Sequence, residues 1–538
     1  MISATGAAAE EGQLEESGAN ERWWGWATPS PAPPIADDVR RAIRERLGFG
    51  ADWVEDPVPP ERATIAPSRV AIPRALAELL SDDPRDRALH TYGQSYRDLV
   101  RSLRGSFETA PDLVARPRTE SDVERLLAWC SEERLAAIPF GGGTSVVGGV
   151  EPRVEGDYRG VVTIDLSRLA RVRAVDRESL AACIEAGATG PKLEQQLRAH
   201  GLTLRFYPQS FERSTLGGWL ATRAAGHFAT FQQHIDELVE SITAVTPAGL
   251  WQSRRLPGSG AGPSPDRWLL GSEGTLGVIT HAWLRVRPRP RYRARASVAF
   301  GDLHAAASAV RSLLRAELEP ANLRALDADE AYVTGALDER RALLVIGLES
   351  AVEQQEGELE QILDVCRASG GEIVDRGAQS GSAEGVWRSA FTAAPYLRDL
   401  LVRAGVLCET FETAITWERF GEFVERVRQT TRRAVEEVCG AGLVSCRITH
   451  FYPDGCAPYF TVLAPARQGD ELRQWDEIKV AASEAILAAG GTITHHHAVG
   501  RDHREWYRRQ RPVPFATALA AAKASIDPAG IMNPGALL

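Results

Sequence analysis

The chain has 538 residues, 44% of them hydrophobic and 25% charged, with a formal net charge of -10. That length holds two or three domains with real cores, and the acidic balance excludes a general affinity for nucleic acid, which needs clustered cations. No run of 18 apolar residues occurs, so no segment reads as a membrane-spanning helix.

Residues 1–20 are rich in Ala, Gly and Glu, lack the basic and apolar blocks of a signal peptide, and read as a disordered tail. A tryptophan-rich stretch, Arg22-Trp-Trp-Gly-Trp-Ala-Thr-Pro, precedes a Pro-rich segment, and helical patterning starts near Asp37. A second helical block is expected over 74–103. After Pro111 short β-branched runs alternate with amphipathic helices, as in an α/β unit. A helix is expected over 121–132, strands over 136–139, 160–166 and 180–185, and a helix over 191–200 stopped by Gly201. Strands follow over 240–246 and 277–287, and Arg287-Pro-Arg-Pro-Arg291 marks a boundary. Beyond it lies an α+β region with helices over 304–318, 352–369, 417–439 and 469–489, and strands over 342–348 and 459–463. Of the 62 basic residues only Lys192, Lys479 and Lys523 are lysines, a bias that with abundant Ala points to a GC-rich bacterial coding sequence. The seven cysteines form no CxxC pair, which suits a reducing, cytoplasmic setting.

The first chemical motif is Ile138-Pro-Phe-Gly-Gly-Gly-Thr-Ser-Val-Val-Gly-Gly149, directly after a strand. Glycines let successive amides approach an anion, and Thr144 and Ser145 add hydroxyl donors. The spacing is neither a Walker loop nor a Rossmann turn, and a bare Gly-rich turn of this kind is more often structural than functional. Three segments follow it in order: Pro208-Gln-Ser-Phe-Glu-Arg-Ser-Thr-Leu-Gly-Gly218, Thr222-Arg-Ala-Ala-Gly226 and Gly271-Ser-Glu-Gly-Thr-Leu-Gly-Val-Ile279. Together they resemble the FAD-binding half of the vanillyl-alcohol-oxidase, or PCMH-type, family.

That resemblance implies an α+β fold: a two-subdomain PCMH-type FAD-binding domain over 111–290 and an α+β substrate (cap) domain over 291–446. A C-terminal region over 447–538 would complete cap and active site, and residues 21–110 would form an N-terminal helical extension. It implies non-covalent FAD, lined by Pro139, Phe140, Gly141, Gly142, Gly143, Thr144 and Ser145 at the pyrophosphate. Around the rest of the cofactor it places Gln209, Ser210, Ser214, Thr215, Thr222, Arg223, Ala224 and Ala225, then Glu273, Gly274, Thr275, Leu276, Gly277, Val278 and Ile279.

Further segments are similar to the alkyldihydroxyacetonephosphate synthase branch: the tryptophan stretch, His90-Thr-Tyr-Gly-Gln94, Asn322-Leu-Arg-Ala-Leu-Asp327, Tyr396-Leu-Arg-Asp-Leu400, Tyr452-Pro-Asp-Gly-Cys-Ala-Pro-Tyr-Phe460 and Thr494-His-His-His-Ala-Val-Gly500. The resemblance implies Tyr459, His495, His496, His497 and Arg324 as catalytic residues and Arg398 as the substrate-phosphate clamp. Planar arginine forks bind phosphate bidentately, and histidine is suited to proton removal near neutrality. It implies a redox-neutral exchange of the acyl chain of acyl-dihydroxyacetone phosphate for a fatty alcohol, the flavin N5 holding the remaining fragment between half-reactions. The partners are then a lipid-like phosphorylated substrate and a fatty alcohol; a peripheral membrane contact and a homodimer stay open.

No metal is expected. Three adjacent histidines on an extended turn cannot all face one ion, and no Asp, Glu or Cys stands at ligand spacing. Two departures adjoin the flavin segments: Gln232-Gln-His-Ile235 replaces a Tyr-Gly-Asn-Ile run, and Ala225 replaces a serine. The chain ends Ala536-Leu-Leu538, without a peroxisomal tripeptide. The competing expectations are an FAD-linked 2-hydroxy-acid dehydrogenase or oxidase of the same fold, and a flavin-binding protein without catalysis.

Overall fold

The structure, a computed structural model, describes residues 22–29, 31–51, 53–227, 234–318, 320–376 and 382–538. The tail expected over 1–20, and Gln232 and Gln233, lie outside them.

The tryptophan stretch forms a hairpin, β1 (Arg22–Trp24) against β2 (Thr28–Pro29), with Gly25 turning at φ +61°. Helix α1 (Asp37–Leu47) ends on Gly48 in the left-handed region. The block expected over 74–103 is instead broken into β3 (Leu80–Ser81), α2 (Pro84–Leu89) and α3 (Tyr96–Leu103). Pro84 can only open a helix, with Asp83 capping it, and Ser95 begins α3 anew with a capping box. Strands β4 (Leu113–Ala115), β5 (Leu135–Phe140) and β6 (Gly160–Asp165) pair in parallel, in sheet order β3-β4-β6-β5, with α4 (Glu120–Glu133) crossing over between β4 and β5.

An antiparallel sheet follows, built from β7 (Val172–Asp176) and β8 (Ala181–Glu185), then, after α5 (Gly190–Arg198), β9 (Leu202–Thr203) and α6 (Leu216–Thr222), from β10 (Val239–Thr246) and β11 (Gly249–Gln252). After α7 (Asp266–Leu269), β12 (Val278–Arg285) enters its middle, giving the order β11-β10-β12-β8-β7. The Arg-Pro boundary is not wholly irregular, because β13 (Arg287–Pro288) pairs with β9. One apolar cluster, including Leu126, Ile184, Trp219 and Val278, joins the two sheets.

The rest of the chain is organised by one large antiparallel sheet. Its strands are β14 (Tyr292–Phe300), β15 (Asn322–Leu326), β16 (Ala342–Ser350), β17 (Glu372–Asp375), β18 (Val406–Glu412), β19 (Ile415–Thr416), β20 (Leu443–Phe451) and β21 (Gly455–Pro465). Their order is β17-β14-β16-β15-β20-β21-β18, with β19 also on β21. Between them run α8 (Leu303–Arg315), α9 (Ala328–Thr334), α10 (Glu356–Ala368), α11 (Ala383–Arg403) and α12 (Phe420–Cys439). Then come α13 (Glu471–Ala488), α14 (Arg504–Gln510) and α15 (Val513–Ile526). Side chains alternate along a strand. One face of this sheet therefore buries Cys446, Phe411 and Phe460, which are opposite one another, against α8, α10, α12 and α13. The other face carries Glu412, Tyr459 and Arg447, also cross-strand partners, with Arg324 two residues from the partner of Arg447. Trp387 of α11 packs on that second face with Leu326 and Val345.

Candidate active site

The loop after β5 is shaped for an anion. Among the described residues, the amides of Gly141, Gly142, Gly143, Thr144 and Ser145 donate to no protein acceptor. Unpaired amides on successive residues form a concavity suited to phosphate oxygens, so the donor set fits the pyrophosphate of FAD. Gly143 has φ +65°, and a Cβ on Gly142 would lie 1.8 Å from the carbonyl oxygen of Arg213. The loop thus packs directly on the 209–215 segment. From below, Gln94 donates its amide to the Ser145 carbonyl at 2.6 Å, and the His90 ring lies 4.7 Å from that of Phe140. This is how the His90–Gln94 motif bears on the loop.

The other cofactor-segment side chains are placed unevenly. Ser145 and Ser214 spend their hydroxyls accepting from Gly149 N and Trp219 Nε1, and Thr215 caps α6. Thr222 donates to Gly218 O, and Gln209 donates to Phe391 O on α11. Arg223 sits at φ 52° and pairs with Asp236. Leu276 and Val278 are core residues, so only their backbone is available to a ligand. Glu273 also points elsewhere: its carboxylate accepts the amides of Val499 at 2.9 Å and Gly500 at 2.7 Å. Burial pushes that carboxyl up to about 7 against those bonds. Glu273 thereby ties the cofactor region to the turn after the histidine run. Asn533 adds a clip, donating to the Gly149 and Glu273 carbonyls.

The histidine run lies above the polar face of the large sheet. Glu412 is fully buried and accepts from Thr494 Oγ1 and from the amides of His495, His496 and His497, at 2.6 to 3.1 Å. Burial opposes its ionisation, but His496, His497, His495 and the Thr494 hydroxyl outweigh that and hold its carboxyl well below the usual range. The run is therefore curled, not extended. His495 and His496 approach through their Nδ1 atoms at 2.9 Å, and ligand atoms of His450, His495 and His496 lie within 4.8 Å of one another. Two of the three thus converge, joined by His450 of β20 from far along the chain, while His497 is not part of that group.

Tyr459 is buried, with the Arg447 guanidinium carbon 3.9 Å from its ring centroid and the His497 ring 5.4 Å away. Burial raises its phenol pKa, while Arg447 and a hydrogen bond with Thr410 oppose the rise. Arg447 is itself paired with Glu330. Arg324 is fully buried and donates to the backbone carbonyls of Leu323, Thr449 and His227. Without a carboxylate partner it is pushed down to about 9 by burial, then by Arg447.

Arg398 differs from its neighbours. It projects from α11, its Nε is buried without a partner, and among the described residues it makes no salt bridge. Its charge nevertheless acts on Tyr459 and His497. The next residue, Asp399, accepts the amides of Trp26 at 2.7 Å and Ala27 at 3.3 Å. Arg213 of the cofactor segment donates to the Gly25 and Trp26 carbonyls. The tryptophan hairpin is thus held between the helix of Arg398 and the 209–215 segment.

The histidines are neutral at physiological pH. Burial lowers His496 to about 3 and His497 to about 4, and takes His495 and His450 well below the ordinary value. Folded values below the unfolded value of about 6.5 give stability that is full above pH ~6.5 and lost as pH falls towards the folded pKa. Denaturant melts should show stability falling from pH 7 to 5, by up to ~1.4 kcal/mol per pH unit per histidine. His497→Gln should flatten that loss; an unchanged slope would count against a neutral, buried His497.

Residues 111–253 match the family model described as "FAD binding domain", and residues 289–537 the one described as "FAD linked oxidases, C-terminal domain". The class is thus that of FAD-dependent α+β enzymes built from these two parts. The alkyldihydroxyacetonephosphate synthase of Dictyostelium discoideum is 32% identical over 492 residues, covering 86% of this chain and 79% of its own. That of Caenorhabditis elegans is 30% identical over 477 residues, covering 84% and 80%. A solved alkyldihydroxyacetonephosphate synthase superposes with a TM-score of 0.79 at 26% identity, covering 96% of this chain and 98% of the other. The chain belongs to the alkyldihydroxyacetonephosphate synthase family.

Proposed function

We propose that this chain is an FAD-dependent alkyldihydroxyacetonephosphate synthase, replacing the acyl chain of acyl-dihydroxyacetone phosphate with a fatty alcohol. The alcohol oxygen forms the new ether bond, its proton leaves with the displaced fatty acid, and no net oxidation occurs. The observation that carries this reading is Arg398, whose buried Nε has no partner among the described residues and whose charge acts on Tyr459 and His497. A flavin dehydrogenase of a hydroxy acid needs no fork for a phosphate dianion.

FAD, held non-covalently over residues 111–290, supplies an electrophilic ring for the ketone-bearing substrate. Arg398 grips the phosphate. His496 and His497, kept neutral by burial, accept the proton alpha to the carbonyl, and His495 supports them. Tyr459, its phenol kept protonated, assists the departing carboxylate and the entering alcohol. Arg324 acts through backbone carbonyls and is a positioning residue. Residues 291–446, with 447–538, close over the reacting atoms. The lipid tails make a peripheral bilayer contact part of this reading; exposed Val513 and Phe515 beside Arg508 and Arg509 are the candidate surface.

Anaerobic mixing with acyl-dihydroxyacetone phosphate and a fatty alcohol should yield the ether product by mass. D-lactate, glycolate and 2-hydroxyglutarate should leave the oxidised flavin absorbance intact. Rapid bleaching by any of these acids would replace the synthase reading with the dehydrogenase. Arg398→Ala should weaken phosphorylated ligands by about 1.5–3 kcal/mol, roughly ten- to hundredfold, with Lys restoring only part. Unchanged affinity in the Ala variant would make Arg398 structural.

A further inference from the structure

The departure at Gln232-Gln-His-Ile235 leaves one described residue without a role so far, His234. It ends a continuous line of groups that begins at the histidine run. His496 Nδ1 lies 2.9 Å from His495 Nδ1, and His495 Nε2 lies 2.6 Å from Tyr452 Oη. Tyr452 Oη lies 3.1 Å from His234 Nε2, and His234 Nδ1 lies 3.0 Å from the carbonyl oxygen of Arg223.

The chemistry of the two ends fixes the direction of every link. A carbonyl oxygen only accepts, so His234 carries its proton on Nδ1 and its Nε2 is an acceptor. The Tyr452 hydroxyl donates to it, which leaves the Tyr452 oxygen to accept from His495 Nε2–H. His495 Nδ1 then holds a lone pair and accepts from His496 Nδ1–H. The Nε2 of His496 is left as a free base. At the far end Glu412 Oε2, which also only accepts, lies 3.5 Å from His496 Nδ1 and favours the same arrangement. With His234 fixed by the Arg223 carbonyl, reversing the remaining links would set the Nε2 lone pairs of His234 and His495 against each other at 3.1 Å. It would also turn a His496 lone pair towards the Glu412 carboxylate.

We propose that His234 and Tyr452 are positioning residues that lock His495 and His496 into single tautomers, presenting His496 Nε2 to the substrate. The inference rests on the reading of His496 as the base. Because the line starts at Arg223, in the segment assigned to FAD, the base is set by the wall that holds the cofactor. Burial lowers the pKa of His234, His495 and His496, so each has one N–H to give, as the line requires.

Long-range 1H–15N spectra of holoenzyme carrying 15N-histidine read the tautomers directly, with His496 assigned by the signal lost in His496→Gln. The wild type should show His496 protonated at Nδ1. In His234→Ala and Tyr452→Phe the His495 and His496 signals should become tautomer mixtures. Turnover number should fall roughly ten- to hundredfold, as for other residues that orient an imidazole, at unchanged KM and FAD content. His234→Gln, whose carbonyl can accept where Nε2 did, should restore both. A wild-type His496 protonated at Nε2, or a His234→Ala variant with unchanged tautomers, would overturn the proposal. So would one stoichiometric zinc per chain by metal analysis, since a metal would take the lone pairs that the line assigns to hydrogen bonds. If instead the tautomers are as stated and the wild type forms no ether, the synthase reading fails while the wiring stands.

Discussion

Tyr459→Phe lowers ether-forming turnover by about 10²–10⁴-fold and leaves FAD content and thermal unfolding close to wild type. The size is that of general acid–base assistance from one positioned group. The selectivity comes from the packing. The ring, not the hydroxyl, lies under the Arg447 guanidinium at 3.9 Å and against His497 at 5.4 Å, and phenylalanine keeps that ring. The hydroxyl that is removed has Thr410 beside it, so the variant leaves one small polar partner to adjust and no buried charge. Solvent exchange of the substrate's alpha proton should persist in Tyr459→Phe but fall in His496→Ala and His497→Ala, because the two steps use different groups. Turnover within threefold of wild type in Tyr459→Phe would remove Tyr459 from the chemistry.

Gly142→Val yields a chain that has lost nearly all its flavin. The obstacle is the protein itself: the first added carbon would sit 1.8 Å from Arg213 O and 2.6 Å from its carbonyl carbon. The loop of residues 141–145 must lift off the 209–215 segment, which separates the unpaired amides from the rest of the cradle. Arg213 also holds the tryptophan hairpin, so the displacement reaches the substrate side. Absorbance of the purified variant measures occupancy, and flavin released to the supernatant after acid precipitation of the wild type is the result expected for a non-covalent link. Full occupancy in Gly142→Val would mean that this loop does not hold the pyrophosphate.

The α+β class and the family were legible because Gly-rich turns and the histidine run are local patterns in a fixed order. Helices such as 120–133 and 471–488 were placed within two residues because caps and 3.6-residue periodicity are local too. The strand Tyr292–Phe300, YRARASVAF, was not, since short and charged residues alternate where the structure buries Ala296 and Val298. Glu412 and Tyr452 were missed for a different reason. Each is one polar residue on a strand or its edge, and each gains meaning only when β18, β20 and β21 come into register. The tryptophan stretch was recognised as a motif, yet its partners Arg213 and Asp399 could not be read without the fold.

The hairpin at Gly25 also bears on the order in which the chain folds. Its hydrogen bond to Asp399 spans 373 residues of sequence, and its bonds to Arg213 span 188 and 187. On a ribosome the first of these aromatic residues emerge long before either partner exists, and contacts of such separation close late. Trp26 at the turn must therefore wait as an exposed, sticky leader while the cofactor half forms, whereas Trp23 and Trp24 find Val58, Leu99 and Phe107 earlier. Docking of that leader is then the event that joins the helix of Arg398 to the 209–215 segment, so a refolding time course should recover flavin binding before it recovers turnover.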